Sequence, residues 1–94
     1  MDFLTQDSDE VQKLNRLLSG ATRASVYLRN DYSGYHLKFK SNNTKTMRIV
    51  RDNVVEIYFG YGETLEFLFD DYVINNNHIK FFQTEIGNVL TIVL

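Results

Sequence analysis

Hydrophobic positions along this chain follow two periods, one after the other. From Asp7 to Ser19 the apolar residues Val11, Leu14, Leu17 and Leu18 recur every three or four positions. That spacing makes one stripe and predicts an amphipathic helix. Asp7 with Glu10 three residues later resembles a capping box, with Asp in place of Ser or Thr. Asp9 and Glu10 set negative charge against the positive end of the helix dipole. Gly20 follows, a residue able to end the helix in the left-handed conformation.

After Gly20 the period becomes 2. Ala24, Val26 and Leu28 alternate with polar or tyrosine positions, and so do Tyr35, Leu37 and Phe39. Met47 with Ile49, then Val55, Ile57 and Phe59, then Leu65, Phe67 and Phe69 repeat the pattern. Turn residues bound each run: Asn30 to Gly34, Ser41 to Thr44, Asp52-Asn53, and Gly60-Tyr61-Gly62. Connections this short predict antiparallel neighbours, because a parallel crossover needs more chain. His78 to Gln83 and Val89 to Leu94 read as two further strands. The second is nearly all apolar, which predicts an inner strand covered on both faces. Tyr72-Val73-Ile74 reads as a short strand or an irregular link. The expected fold class is α+β: an N-terminal helix, then a curled antiparallel meander of about six or seven strands, as a sheet or a partly closed barrel. The whole chain, 1–94, is read as a single domain.

Pairing in the Met47–Phe59 hairpin can be derived. A two-residue loop at Asp52-Asn53 would set Ile49 against Glu56 and mix the faces. A three-residue loop, Arg51 to Asn53, pairs Ile49 with Val55, Met47 with Ile57 and Arg48 with Glu56. Asn53 tolerates the left-handed position that such a loop needs. This register leaves Val50, Val54, Tyr58 and Leu68, with Phe82, on an outer face too apolar for water. The expected cover is the helix, through Leu14, Leu17 and Leu18; a curled barrel or a second copy of the chain would also serve.

Composition narrows the chemistry. There is no cysteine, Pro or Trp, so disulfides and thiolate metal sites are excluded. No stretch approaches the roughly 20 apolar residues that cross a bilayer, and the acidic start has no apolar signal region. The expectation is a cytoplasmic protein without membrane contact, or one of the host cytoplasm if phage-encoded. The lean toward Asn, Ile, Lys, Tyr and Phe matches A/T-rich codons, as in a low-GC bacterium or its phages.

Charge is sorted along the chain. Ala21 to Arg51 holds seven bases and one acid, while Asp52 to Leu94 holds seven acids and one base, Lys80. Arg23, Arg29, His36, Lys38, Lys40 and Arg48 share outward positions with Tyr27. Cations for phosphates and a ring for a base are what a single-stranded nucleic-acid face requires. The plainer alternative is a solvated face neutralised by Glu56 and Glu66.

No other motif carries chemistry. His36 and His78 lie on different strands with no third ligand in sight, so neither metal nor cofactor is expected. Gly60-Tyr61-Gly62 precedes a strand, whereas a phosphate loop precedes a helix. Glu56 and Glu66 read as charge partners of Arg48 rather than as an acid–base pair. No Ser or Thr has a His–acid set for nucleophilic catalysis, and Asn42-Asn43-Thr44 is a loop. Tyr32 and Tyr61 stand in turns, where rigid aromatics with a polar tip suit a protein interface.

These features favour a non-enzymatic module that contacts another protein stoichiometrically, with an inhibitor or adaptor of a phage or mobile element as its concrete form. Its candidate interface is Val50, Val54, Tyr58, Leu68, Tyr32 and Tyr61, and self-association through the first four is a further expectation. The alternative is single-stranded nucleic-acid binding by the basic strands.

Overall fold

The computed structural model describes residues 9–39, 45–51, 53–60 and 62–94. Helix α1 spans Asp9–Ser19 and is followed by β1 (Ser25–Asn30), β2 (His36–Phe39), β3 (Thr46–Arg51) and β4 (Val54–Gly60). β5 (Glu63–Leu68), β6 (Asp71–Ile74), β7 (His78–Gln83) and β8 (Asn88–Val93) complete the chain. The strands form two antiparallel sheets, one ordered β2-β1-β8-β7-β6 and one ordered β3-β4-β5. The expected α+β class therefore stands. The strands divide between two sheets that do not close into a barrel, and the segment around Tyr72 is a true strand.

Alternation explains the layers. In the five-stranded sheet, Val26, Ile92 and Ile79 form one cross-strand row, and Leu28, Leu90 and Phe81 form the next. These residues face Met47, Ile49, Val55, Ile57 and Phe67 of the other sheet in one core cluster. β8 is the central strand, as its apolar run predicts, but only its Leu90 and Ile92 side meets the core. Its other side belongs to the outer face of the sheet, where Val89 is buried and Thr91 and Val93 are half-buried.

The hairpin register holds: Ile49 pairs with Val55, Met47 with Ile57 and Arg48 with Glu56. It is reached differently from the three-residue loop. Arg51 pairs with Val54, and a register shift between Ile49 and Arg51 takes up the extra residue, as a β-bulge does. Asn53 adopts φ 57°. Its side chain donates to the Phe69 carbonyl at 3.1 Å, and its carbonyl accepts the Phe69 amide at 2.8 Å. The turn is thus fastened to the segment where the chain crosses between sheets.

Two expectations about the helix are corrected. Its stripe does not cover the outer face of β3–β5. Val11, Leu14 and Leu18 are fully buried in the central core, and Leu17 is half-buried at its margin. The reason lies at the sheet edge. β3 has no strand on one side, and Asn15 Oδ1 accepts the Ile49 amide there at 2.7 Å. An unpaired edge amide recruits the helix, whose apolar side then turns inward. Nor does Gly20 take a positive φ; that conformation occurs at Gly34, Gly62 and Gly87. The helix instead ends in a tight turn, with the Ala21 amide donating to the Leu18 carbonyl at 3.1 Å. Asp7 of the expected capping box lies outside the described residues.

Glu10 has another role: its carboxylate accepts the Tyr72 hydroxyl at 2.6 Å, tying α1 to β6. Burial, then the bond to Glu10, pushes the Tyr72 phenol up to about 12 from 10.0. A raised folded value means the protonated phenol is favoured in the folded protein. Its stabilising contribution is complete below pH 10 and is lost as pH rises through about 12. Urea unfolding across that window should show stability falling more in the wild type than in Tyr72→Phe. Equal falls would show that the phenol is not the linked group. Among the described residues, no helix is long and apolar enough to cross a membrane.

Candidate functional site

The open face of the five-stranded sheet gathers Lys38, Arg29, Lys80 and two histidines. Strand alternation puts Lys38, Tyr27, Thr91, Lys80 and Val73 in one row across it, from β2 to β6. The adjacent row is His36, Arg29, Val89, Phe82 and Asp71. On the other side Ser25, Val93 and His78 form a third. A shallow recess of about 410 Å³ lies over the middle of this face, lined by Tyr27, Arg29, His36, His78, Lys80, Thr91 and Val93. The single base of the acidic C-terminal part has thus joined the basic strands.

Local contacts prepare the face. Lys38 Nζ stands 5.7 Å from the centroid of the Tyr27 ring, a cation–π distance. Lys38 is exposed and its stem is flexible, so a stacking base can displace it. Arg29 Nε is held at 2.8 Å by Asp31 Oδ1, which aims the guanidinium and offsets part of its charge. His78 has both ring nitrogens occupied: Asn75 Nδ2 is 2.8 Å from Nε2 and Asn77 Oδ1 is 2.9 Å from Nδ1. The tautomer with the proton on Nδ1 satisfies both bonds. His78 therefore offers a fixed ring rather than a free donor. The two histidines share the face but not a row. No group of three His, Cys, Asp or Glu suited to a metal occurs among the described residues.

Other bases of the middle segment are placed differently. Arg48 and Arg51 lie in the three-stranded sheet, where they pair with Glu56 at 3.7 Å and with Glu66. This is the interleaved, neutralised arrangement, and it removes Arg48 from the candidate face. Arg23 lies in the turn before β1, off the strands but at the rim of the sheet. Lys40 lies outside the described residues. Lys45 is buried, its Nζ donating to the Ala24 carbonyl at 2.7 Å. Burial first and the Arg23 charge second hold its ammonium below its ordinary value.

The candidate protein interface is scattered. On the outer face of β3–β5, Tyr58 sits beside Thr46 and Thr64, and Leu68 beside Val54. The charged row of Arg48, Glu56 and Glu66 runs between them. Tyr58 lies four positions from Val54, about 13 Å along a strand. Val54 is buried and Val50 half-buried, which leaves two exposed apolar groups with no continuous patch for a two-fold contact. Tyr61 lies outside the described residues.

Tyr32 belongs to a separate surface, at the end of the five-stranded sheet. Its hydroxyl donates to the Thr84 carbonyl at 3.1 Å, and its amide to Asn30 Oδ1 at 3.0 Å. Asn30 also donates to the Ile86 carbonyl and to Asn88 Oδ1, and Asn88 donates to Gln83. Asp70 accepts both the amide and the hydroxyl of Thr84, which hold its carboxyl below the usual range. The loops are stitched together, and Tyr32, Tyr35 and Ile86 stand exposed on them.

Sequence reasoning missed Lys80, Phe82 and Thr91 as members of the basic face. Their parity was visible, but their partnership with β1 was not, because it runs through β8. Comparison with protein families, with curated proteins and with solved structures finds no match.

Proposed function

We propose that the protein is a non-enzymatic binding module whose open sheet face takes single-stranded nucleic acid. One observation carries this reading: Lys38, Tyr27, Thr91 and Lys80 form a single row, with Arg29 and His36 alongside. The only acid in these rows is Asp71, on the far edge strand. Cations can follow the phosphates while Tyr27 and Phe82 present rings to bases. The proposed place of action is the cytoplasm, of a host cell if the protein is phage-encoded.

Anisotropy of labelled oligothymidine and of the matching RNA tests it. Affinity should fall steeply with salt as counterions are released. Lys38→Ala and Lys80→Ala should each lower affinity alike for all sequences and reduce the salt slope by about 1. Tyr27→Ala should cost about 1–3 kcal/mol of stacking. Arg48→Ala, on the other sheet, should leave binding unchanged. The reading fails if no oligonucleotide binds at low salt, or if binding ignores Lys38 and Lys80.

A second reading rests on the stitched end of the sheet. Tyr32 is 73% exposed, yet both its hydroxyl and its amide are hydrogen-bonded. A rigid exposed aromatic on the loops that also carry the exposed Ile86 suits a protein partner. Stoichiometric inhibition or adaptor activity would act through this end rather than through the basic face.

A further inference from the structure

The open face does not stop at Ser25. Along β1 and β8 it runs into a second recess, of about 600 Å³, where the sheet meets the last turn of α1. Val93 lines both recesses, so the two adjoin at this residue. Arg16 from the helix and Arg23 from the turn before β1 border the second, over Leu17, Ala24 and Val93. We propose that this recess binds the phosphorylated end of a nucleic-acid strand lying on the face, with Arg16 and Arg23 as the phosphate fork. The inference rests on the nucleic-acid reading above and adds to it an end preference.

Three features support it. Among the described residues, the ion pairs are those of Arg29, Arg48 and Arg51, which leaves Arg16 and Arg23 without an acidic partner. A guanidinium offers paired N–H groups that match two phosphate oxygens. A terminal phosphomonoester carries a charge of about −1.5 to −2 near neutral pH, so two guanidiniums match it better than they match a singly charged backbone phosphate. The carbonyl end of α1, partly negative, faces the same region. That field opposes an anion, and the two guanidiniums must outweigh it. Below them, Leu17, Ala24 and Val93 give the terminal base an apolar floor.

The test compares three oligothymidines of one length, carrying a 5′-phosphate, a 3′-phosphate or neither. One phosphorylated form should bind about tenfold more tightly than the unmodified strand, the order expected for hydrogen bonds between charged groups. Arg16→Gln and Arg23→Gln should each reduce that ratio toward one, and Arg23→Lys should restore it only in part. Circular dichroism confirms that each variant is folded. If all three strands bind equally while Lys38→Ala and Lys80→Ala weaken them, the end site is wrong and the face reading stands. If the preference survives the double Arg16, Arg23 substitution, the fork is misassigned. If no strand binds, both readings fall together.

Discussion

Phe81→Ala is expected to lower the free energy of unfolding by about 3–5 kcal/mol. Phe81 is 0% exposed, with its ring centroid 4.8 Å from that of Phe69 and 6.4 Å from that of Tyr72. It is where β7 meets both the crossover segment and β6. Truncation leaves a cavity among β7, the crossover segment and β6. Domains of this size are stable by only about 5–15 kcal/mol, so a large share would go. Phe82 is the neighbouring position on the opposite face, half-buried and open to solvent. Phe82→Ala should cost far less, about 1 kcal/mol or below. Urea midpoints for the pair measure the contrast. Similar losses at the two positions would mean that the inner and outer faces have been assigned wrongly.

Gly87→Ala should cost about 1–3 kcal/mol for its backbone region alone, and more for the contact its Cβ would make. Gly87 has φ 74°, and a Cβ there would lie 2.9 Å from Tyr32 Cδ2. The ring cannot simply swing aside, because its hydroxyl is bonded to the Thr84 carbonyl. Gly34 isolates the two causes. It has φ 77° but nothing within 4 Å of the added carbon, so Gly34→Ala carries backbone strain alone. The excess at Gly87 should be about 0.5–1.5 kcal/mol, the worth of one hydrogen bond. Equal costs would show that the Tyr32 clamp contributes nothing.

Local pattern reveals local structure, and these residues show where that stops. The Met47–Phe59 register was legible because any slip would have sent Ile49 and Val55 to opposite faces. The cross-strand Arg48–Glu56 pair followed from it. The helix was legible from its stripe, but its seat was not. That seat depends on Asn15 meeting an amide on β3, and a polar residue on a helix gives no sign of which edge it will satisfy. The division into two sheets was also hidden. Phe69 reads as the continuation of β5, and nothing in its alternation marks a crossing. The basic face was half-legible. Its β1 and β2 members came from alternation, whereas Lys80 needed the pairing of β1 with β8. Arg48 has the same alternation as Lys38 and belongs to the other sheet.

The order β2-β1-β8-β7-β6 puts the last strand of the chain at the centre of the larger sheet. During synthesis the β3–β4–β5 hairpins can form as they emerge, since their contacts are close in sequence. β1 must wait for Asn88–Val93 with one edge unsatisfied, and closing so long a loop costs chain entropy before any burial is gained. The sheet that carries the basic face is therefore the late-folding part of the molecule. Until β8 arrives, the Val26 and Leu28 edge of β1 is a free template for a wrong strand, and yield of the native protein becomes a race between the ribosome and aggregation.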